Sequence, residues 1–355
     1  MTADITLRGP DEVIAVLPYQ LGYHPRDSIV VVALDDRVVG MVARVDLPPD
    51  EHVDEVADAL LPPLVRDGVK GVVVITYEDA EGDGVPATLA VVEALEREGI
   101  AVVDVAVVRD GRRYSPVCTD GCCPPEGEPL LDPSTVPVVA ELVARGRAPL
   151  AGREDVARIV DPSPSAEDLS AVLDLRSSRR PGRRRWATAW KEVLACGRTE
   201  RLRPQAVADA ALSLADIPWR DGLVAWLSPG VLPMRKVDDE VLRHLQTSVP
   251  RWFASRGGPP VRTTDAPDLA DRLVELCRRV PDSRPAEAVA VCTVAAHVAW
   301  AEGDGAVARA ALDRAERLDP DYRLAALLRQ LVDHGVRLRR GPGRPRGAAG
   351  LRSVG

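Results

Sequence analysis

The densest concentration of reactive side chains is Cys118-Thr119-Asp120-Gly121-Cys122-Cys123-Pro124-Pro125-Glu126-Gly127. Thiolates at this spacing, beside Asp120 and Glu126, could ligate zinc, with His24 completing the set. Two features weigh against it. Adjacent Cys122 and Cys123 point in different directions, and no second Cys-x-x-Cys pair closes a tetrahedron. A metal centre on Cys118, Cys122 and Cys123, a redox thiol and a proline-stiffened structural loop all remain open, and the structural loop is the expectation.

A second constellation is His24-Pro25-Arg26-Asp27-Ser28, where histidine, aspartate and an adjacent serine suggest acid–base chemistry. The motif enters a strand at its N-terminal end, whereas ligands of open α/β sheets sit beyond the carboxyl ends. Asp27 and Ser28 also suit a local cap between helix and strand. His24 and Asp27 therefore rank behind the carboxylates that close strands: Asp46 in Arg44-Val45-Asp46, and Glu78-Asp79 after Tyr77. Asp79, Glu81, Asp83 and Gly84 imitate the start of a calcium loop, but its twelfth position is Ala90 and Pro86 interrupts it. Gly-x-Gly-x-x-Gly, Walker and Gly-x-Ser-x-Gly motifs are absent, which removes most support for dinucleotide, phosphate-loop and serine-hydrolase chemistry.

The elements that must carry these groups alternate in type. A short strand at 4–7 precedes a helix from Pro10 to Leu21, which Gly22 ends by supplying a left-handed residue. Ser28–Leu34 and Val38–Val45 form a hairpin through an acidic turn. A helix from Pro49 to about Val65, a strand 71–77, a helix from Pro86 to Gly99 and a strand 100–108 follow. Near-continuous Val and Ile runs between amphipathic helices predict a mixed sheet covered on both faces.

From Asp161 the pattern is helix after helix. Leu269, Leu273, Leu276, Cys277 and Val280 share one face, and Leu324, Leu327, Leu328, Leu331 and Val332 repeat the spacing. Between them, Gly303-Asp304, Ala308, Leu312, Ala315 and Leu318-Asp319-Pro320 resemble half of a tetratricopeptide repeat. The expected fold class is thus α/β: a mixed-sheet α/β domain over residues 1–135, followed by an all-helical domain over 186–338 with one tetratricopeptide-like hairpin. Residues 136–185 would connect them, with Arg176 to Arg185 as an exposed linker, and 339–355 would be a disordered basic tail.

Composition bounds the partners. The 355 residues carry a net charge of −8, yet the segments 176–185 and 337–355 hold 12 arginines and no acid. The remainder has 34 bases against 54 acids, a body near −20 that repels nucleic acid and anionic membranes. Nucleic-acid contact would have to use the tail, where Gly343-Arg344-Pro345 resembles an AT-hook core. No apolar run is long enough to span a bilayer, and the N-terminus lacks the blocks of a signal peptide, so a cytoplasmic location is expected.

Leu17-Pro18-Tyr19-Gln20-Leu21-Gly22-Tyr23-His24-Pro25-Arg26-Asp27-Ser28, together with the cysteine loop, resembles the signature of the actinobacterial family known as domain of unknown function 4192. The resemblance covers nearly the whole chain and implies no activity, cofactor or partner. The cysteine loop departs from the family by one residue between the first cysteine and the pair. The expected function is a cytoplasmic, non-enzymatic ligand-sensing or protein-interaction module. The competing expectation is an enzyme with a carboxylate site, possibly metal-assisted, at the carboxyl ends of the α/β strands.

Overall fold

The computed structural model describes residues 6–7, 9–35, 38–118, 121, 123–144, 146–179, 181–194, 202–249, 269–338 and 352–353. They divide into two compact units, residues 1–153 with 346–355, and residues 154–345.

The first unit is a mixed sheet between two helical layers. Its elements are β1 (Thr6–Leu7), α1 (Pro10–Leu21), β2 (Ser28–Asp35), β3 (Val38–Asp46), α2 (Val53–Arg66), β4 (Gly71–Tyr77), α3 (Val85–Arg97), β5 (Ala101–Arg109), β6 (Arg112–Tyr114), β7 (Glu128–Pro129) and α4 (Pro137–Ala144), with β8 (Arg352–Ser353) added from the C-terminal segment. The strand order is β1-β8-β3-β2-β4-β5-β6-β7. Only β4–β5 and β1–β8 are parallel; β2 runs antiparallel to both of its neighbours.

Alternation along β2 and β4 sends Val30, Val32, Val73 and Ile75 to one face, under α1 and α4, and Ile29, Val31, Val72 and Val74 to the other, under α2 and α3. Burial on both faces explains the unbroken aliphatic runs. α1 stops because Gly22 takes φ 82° and its N–H bonds back to Pro18 O at 2.9 Å. Val138, Val139 and Leu142 of α4 lie in the same core as Val13 and Leu17, so this helix belongs to the α/β unit. The expected lack of structure after residue 339 does not hold at Arg352–Ser353. That dipeptide pairs with β1 and β3 and covers backbone groups that an open edge would leave unpaired.

The second unit is helical: α5 (Arg153–Arg158, its first residue shared with the other unit), α6 (Leu169–Ser178), α7 (Arg183–Val193), α8 (Pro204–Ser213), α9 (Ile217–Leu227), α10 (Asp239–Ser248), α11 (Leu269–Arg279), α12 (Pro285–Glu302), α13 (Gly305–Leu318) and α14 (Arg323–Asp333). No described helix is long and apolar enough to cross a membrane. α12 and α13 form a hairpin in which Gly303 (φ 91°) ends one helix and Asp304 caps the next by accepting from Val307 N at 3.0 Å. Small residues at the contact, Ala299 and Ala308 among them, let the two helices approach closely.

The arginine-rich segment 176–185, although Arg179, Arg184 and Arg185 are exposed, is no free linker, because its two ends lie in helices. Arg176 sits in α6, is buried, and makes a bidentate pair with buried Asp209 of α8. Arg183 opens α7 and bonds Glu240 at 2.9 Å. The physical reason is the acidic body: Arg176 and Arg183 each have a carboxylate to meet within the helical unit, so these two pack instead of extending into water.

Candidate functional site at the strand ends

Antiparallel pairing turns β2 around, and this decides what meets at one edge of the sheet. Ser28, at the start of β2, is registered opposite Asp46 at the end of β3 and opposite Tyr77 at the end of β4. Tyr77 in turn pairs with Val108 near the end of β5. The premise that Asp27 lies at the wrong end of the sheet therefore fails. The His24–Ser28 motif and the carboxylates Asp46, Glu78 and Asp79 share one edge.

Side-chain alternation divides these groups between the two faces. Asp46, Ser28 and Tyr77 form a rung on the α1/α4 face. Ser28 is 0% exposed and its Oγ has no hydrogen-bond partner among the described residues; the Tyr77 hydroxyl is likewise buried and unpartnered among them. Burial pushes the Tyr77 phenol up, so it remains a protonated donor at neutral pH. Asp46 is exposed and held by two guanidinium groups, Arg44 at 2.5 Å and Arg153 at 2.9 Å. Arg44 also donates to Arg26 O at 3.2 Å, which ties the rung to the loop before β2.

On the α3 face, Glu78 is almost fully enclosed. Its carboxylate accepts from Gly82 N at 3.2 Å, Gly84 N at 2.9 Å and Arg109 Nη1 at 2.5 Å. Gly84 is the N-cap of α3, where a βα-loop commonly seats a phosphate. Here the chain's own carboxylate fills that position. The turn has no room to relax: a Cβ on Gly84 would lie 2.4 Å from Thr76 Cγ2 and 3.2 Å from Glu78 Oε2. Beneath it, the Thr76 and Thr88 hydroxyls bond at 2.6 Å. Arg109 stacks 4.4 Å from the Tyr114 ring centroid, which holds its guanidinium toward Glu78.

Asp27 links the two faces. Its Oδ1 accepts from Asp79 N at 3.2 Å and its carbonyl from Leu47 N at 2.8 Å, so it joins the ends of β3 and β4 across the start of β2. Its φ of 36° lies in the left-handed region, a conformation a non-glycine residue keeps only where surrounding bonds hold it. The expected local cap is thus a long-range clamp. His24 is exposed, and its backbone N–H bonds Leu150 O at 3.0 Å.

Sequence reasoning gave no site role to Arg44, Tyr77, Arg109 or Arg153. Arg44 was legible, since Arg-x-Asp on a strand places both charges on one face. The others depend on register between distant segments.

The remaining candidates lie elsewhere. Cys118 and Cys123 are half-buried in the loop between β6 and β7, while Cys122 lies outside the described residues. Arg112 holds that loop through Glu126 O at 2.7 Å and Gly127 O at 2.8 Å. Gly127 is required there, since a Cβ would meet the Tyr114 ring at 2.7 Å. Among the described residues, no group of three or more His, Cys, Asp or Glu is arranged to hold a metal ion. Arg344 lies outside the described residues. A groove of about 430 Å³, lined by Asp58, Leu61, Val65, Arg66 and Glu98, sits at the opposite end of the sheet, beyond the last turns of α2 and α3.

Comparison with family models decides the relationship. The model described as Domain of unknown function (DUF4192) matches residues 10–253 and 260–338. The chain belongs to this family. The matched span takes in both the strand-end edge and the helical unit, so the DUF4192 family comprises both parts of the architecture. No curated protein and no solved structure matches.

Proposed function

We propose that this DUF4192 protein is a cytoplasmic, non-enzymatic ligand-sensing module that takes a small polar molecule at the Asp46–Ser28–Tyr77 rung. The observation that carries this reading is the pair of buried hydroxyls, Ser28 Oγ and Tyr77 OH, without partners among the described residues. A buried hydroxyl left unbonded costs on the order of 1–3 kcal/mol, which a hydrogen-bonding guest would recover.

Charge favours the class of guest. Asp27, Asp46, Glu78, Asp79, Glu81 and Asp83 outnumber the arginines at this edge, and Glu78 already occupies the helix terminus that would attract an anion. An amine or a polyhydroxyl compound suits the edge; a nucleotide or other phosphate does not. His24 and Asp27 border the rung as positioning groups.

The enzymatic alternative draws on one observation, the exposed Asp27 carboxylate that accepts from the Asp79 backbone N–H at the same edge. Against it, Glu78 is committed to three donors and Asp46 to two guanidinium groups, so neither is poised for proton transfer.

The test is a thermal-shift panel of amines, amino sugars, polyols and nucleoside phosphates on the full chain. Stabilisation by an amine or polyol, lost in the Ser28→Ala/Tyr77→Phe double variant, is expected. Stabilisation by phosphates alone, or by an amine that survives in the double variant, would sink the reading.

A further inference from the structure

Helix α14 carries two apolar stripes where its own fold uses one. Ala325, Leu328 and Val332 are buried, on the side where the helix packs on α12 and α13. Leu324, Leu327 and Leu331 repeat the i, i+3, i+7 spacing one position earlier and so line the neighbouring side of the helix. Leu327 is 50% exposed and Leu331 38%, with Leu324 half-buried. A helix that closes a stack ordinarily turns a polar side to water; this one turns leucine.

The surface is fixed from behind. The Tyr322 hydroxyl, just before α14, accepts from Arg220 Nη1 of α9 at 3.0 Å. Trp300 Nε1 of α12 donates to Val336 O at 2.8 Å, and Arg309 of α13 donates to Asp333 at 2.6 Å. α13 is itself pinned by Arg314, whose buried guanidinium donates to Val160 O at 2.6 Å, Cys277 O at 2.7 Å and Val280 O at 2.6 Å, and to Asp282 Oδ1 at 2.7 and 2.9 Å. The three leucines are therefore presented at set positions, which lowers the ordering cost of docking.

Charge selects the partner. The polar residues beside the stripe are Arg323, Gln330 and, one residue past the helix, His334; none is acidic. Arg323 is exposed and makes no ion pair among the described residues. The carboxylates nearby are committed elsewhere: Asp333 is held by Arg309, and Asp313 and Glu316 of α13 by Arg329. We infer that the Leu324–Leu327–Leu331 face docks an amphipathic helix of another protein, one whose apolar stripe is edged by aspartate or glutamate. A second copy of this chain fits less well. Antiparallel pairing about a two-fold axis would set the Arg323 end of each copy against the His334 end of the other, where Asp333 is already bound to Arg309. The face uses none of the residues of the strand-end rung.

The test is fluorescence anisotropy on the full chain with two labelled helical peptides of about 18 residues, or about five turns. Both carry leucine at i, i+3 and i+7; glutamates edge the stripe in one and lysines in the other. The glutamate peptide should bind saturably, about tenfold or more tighter than its lysine twin. Leu327→Gln/Leu331→Gln, a change at exposed positions whose retained fold is checked by circular dichroism, should abolish that binding. Arg323→Glu should weaken or reverse the charge preference. Absence of saturable binding, equal affinity for the two peptides, or binding that survives the double variant would each overturn the inference. So would a dimer of the chain alone, seen by sedimentation velocity and dissolved by the double variant, since the face would then belong to a second copy.

Discussion

Ser28 of β2 lies directly opposite Tyr77 of β4, and the hydroxyls of both are enclosed in the α/β unit without a hydrogen-bond partner among the described residues. A fold optimised only for stability would place Ala and Phe there. Tyr77→Phe should accordingly be neutral or stabilising by up to about 1 kcal/mol in urea denaturation, while abolishing the thermal shift given by any rung ligand. A loss of more than about 2 kcal/mol would show that the phenol has a structural partner.

Glu78 should be costly to remove. Its replacement by Gln keeps the shape but leaves the Arg109 guanidinium, whose side chain is only 13% exposed, with only the exposed Glu81 at 3.6 Å as a carboxylate partner. Breaking such a buried pair costs on the order of 3–5 kcal/mol, and Gln, which retains acceptor capacity, should fall at or below the lower end. Chemical denaturation of Glu78→Gln beside Glu78→Ala checks both the size and the order of the two losses.

Gly84→Ala is expected to destabilise by about 1–3 kcal/mol, because the new methyl overlaps Thr76 Cγ2. The cause is specific enough to rescue. Thr76→Ser removes that Cγ2 and keeps the hydroxyl bonded to Thr88, so the double variant should recover much of the loss. An additive double variant, measured by the same denaturation curve, would show that strain in the turn lies elsewhere.

Acid should loosen the helical unit through His297. This side chain of α12 is buried, neither ring nitrogen has a partner among the described residues, and desolvation, with the nearby Arg220 charge, lowers its pKa from 6.5 to about 4. The folded pKa is depressed, so the folded form binds fewer protons than the unfolded chain between those values. Stability from this group is complete above pH 6.5, falls as pH drops toward 4, and is lost below that. A difference of this size corresponds to about 3 kcal/mol. His297→Leu should flatten this part of the stability-against-pH curve, and an unchanged slope would exclude His297 as its source.

The outline of the α/β unit was legible because its signals are local. Gly22 ends α1, and the aliphatic runs of β2, β4 and β5 are bounded by turn residues, so the limits of these four elements fall within one or two positions, whereas α2 starts four residues after Pro49. The position of Asp27 was legible as well, since a hairpin necessarily brings the start of β2 beside the end of β3 and hence Ser28 beside Asp46. The Asp27–Asp79 bond was not, because 52 residues separate its ends and no periodicity reports on them. Arg176 misled for a different reason: composition alone cannot distinguish a cation meant for water from one whose carboxylate, Asp209, stands two helices further on.

Arg314 joins three stretches of chain through one guanidinium: Val160 ahead of α6, Cys277 and Val280 at the close of α11, and Asp282 beyond it. Apart from the Asp282 carboxylate, those acceptors are main-chain carbonyls at or just beyond helix termini, groups that would otherwise stay unsatisfied in the interior. The helical unit consequently has a keystone, in that withdrawing one side chain would release segments more than a hundred residues apart at once. Shortening the chain before α13 would leave a remainder unable to close around its own ends, which makes this unit divisible in sequence but not in folding.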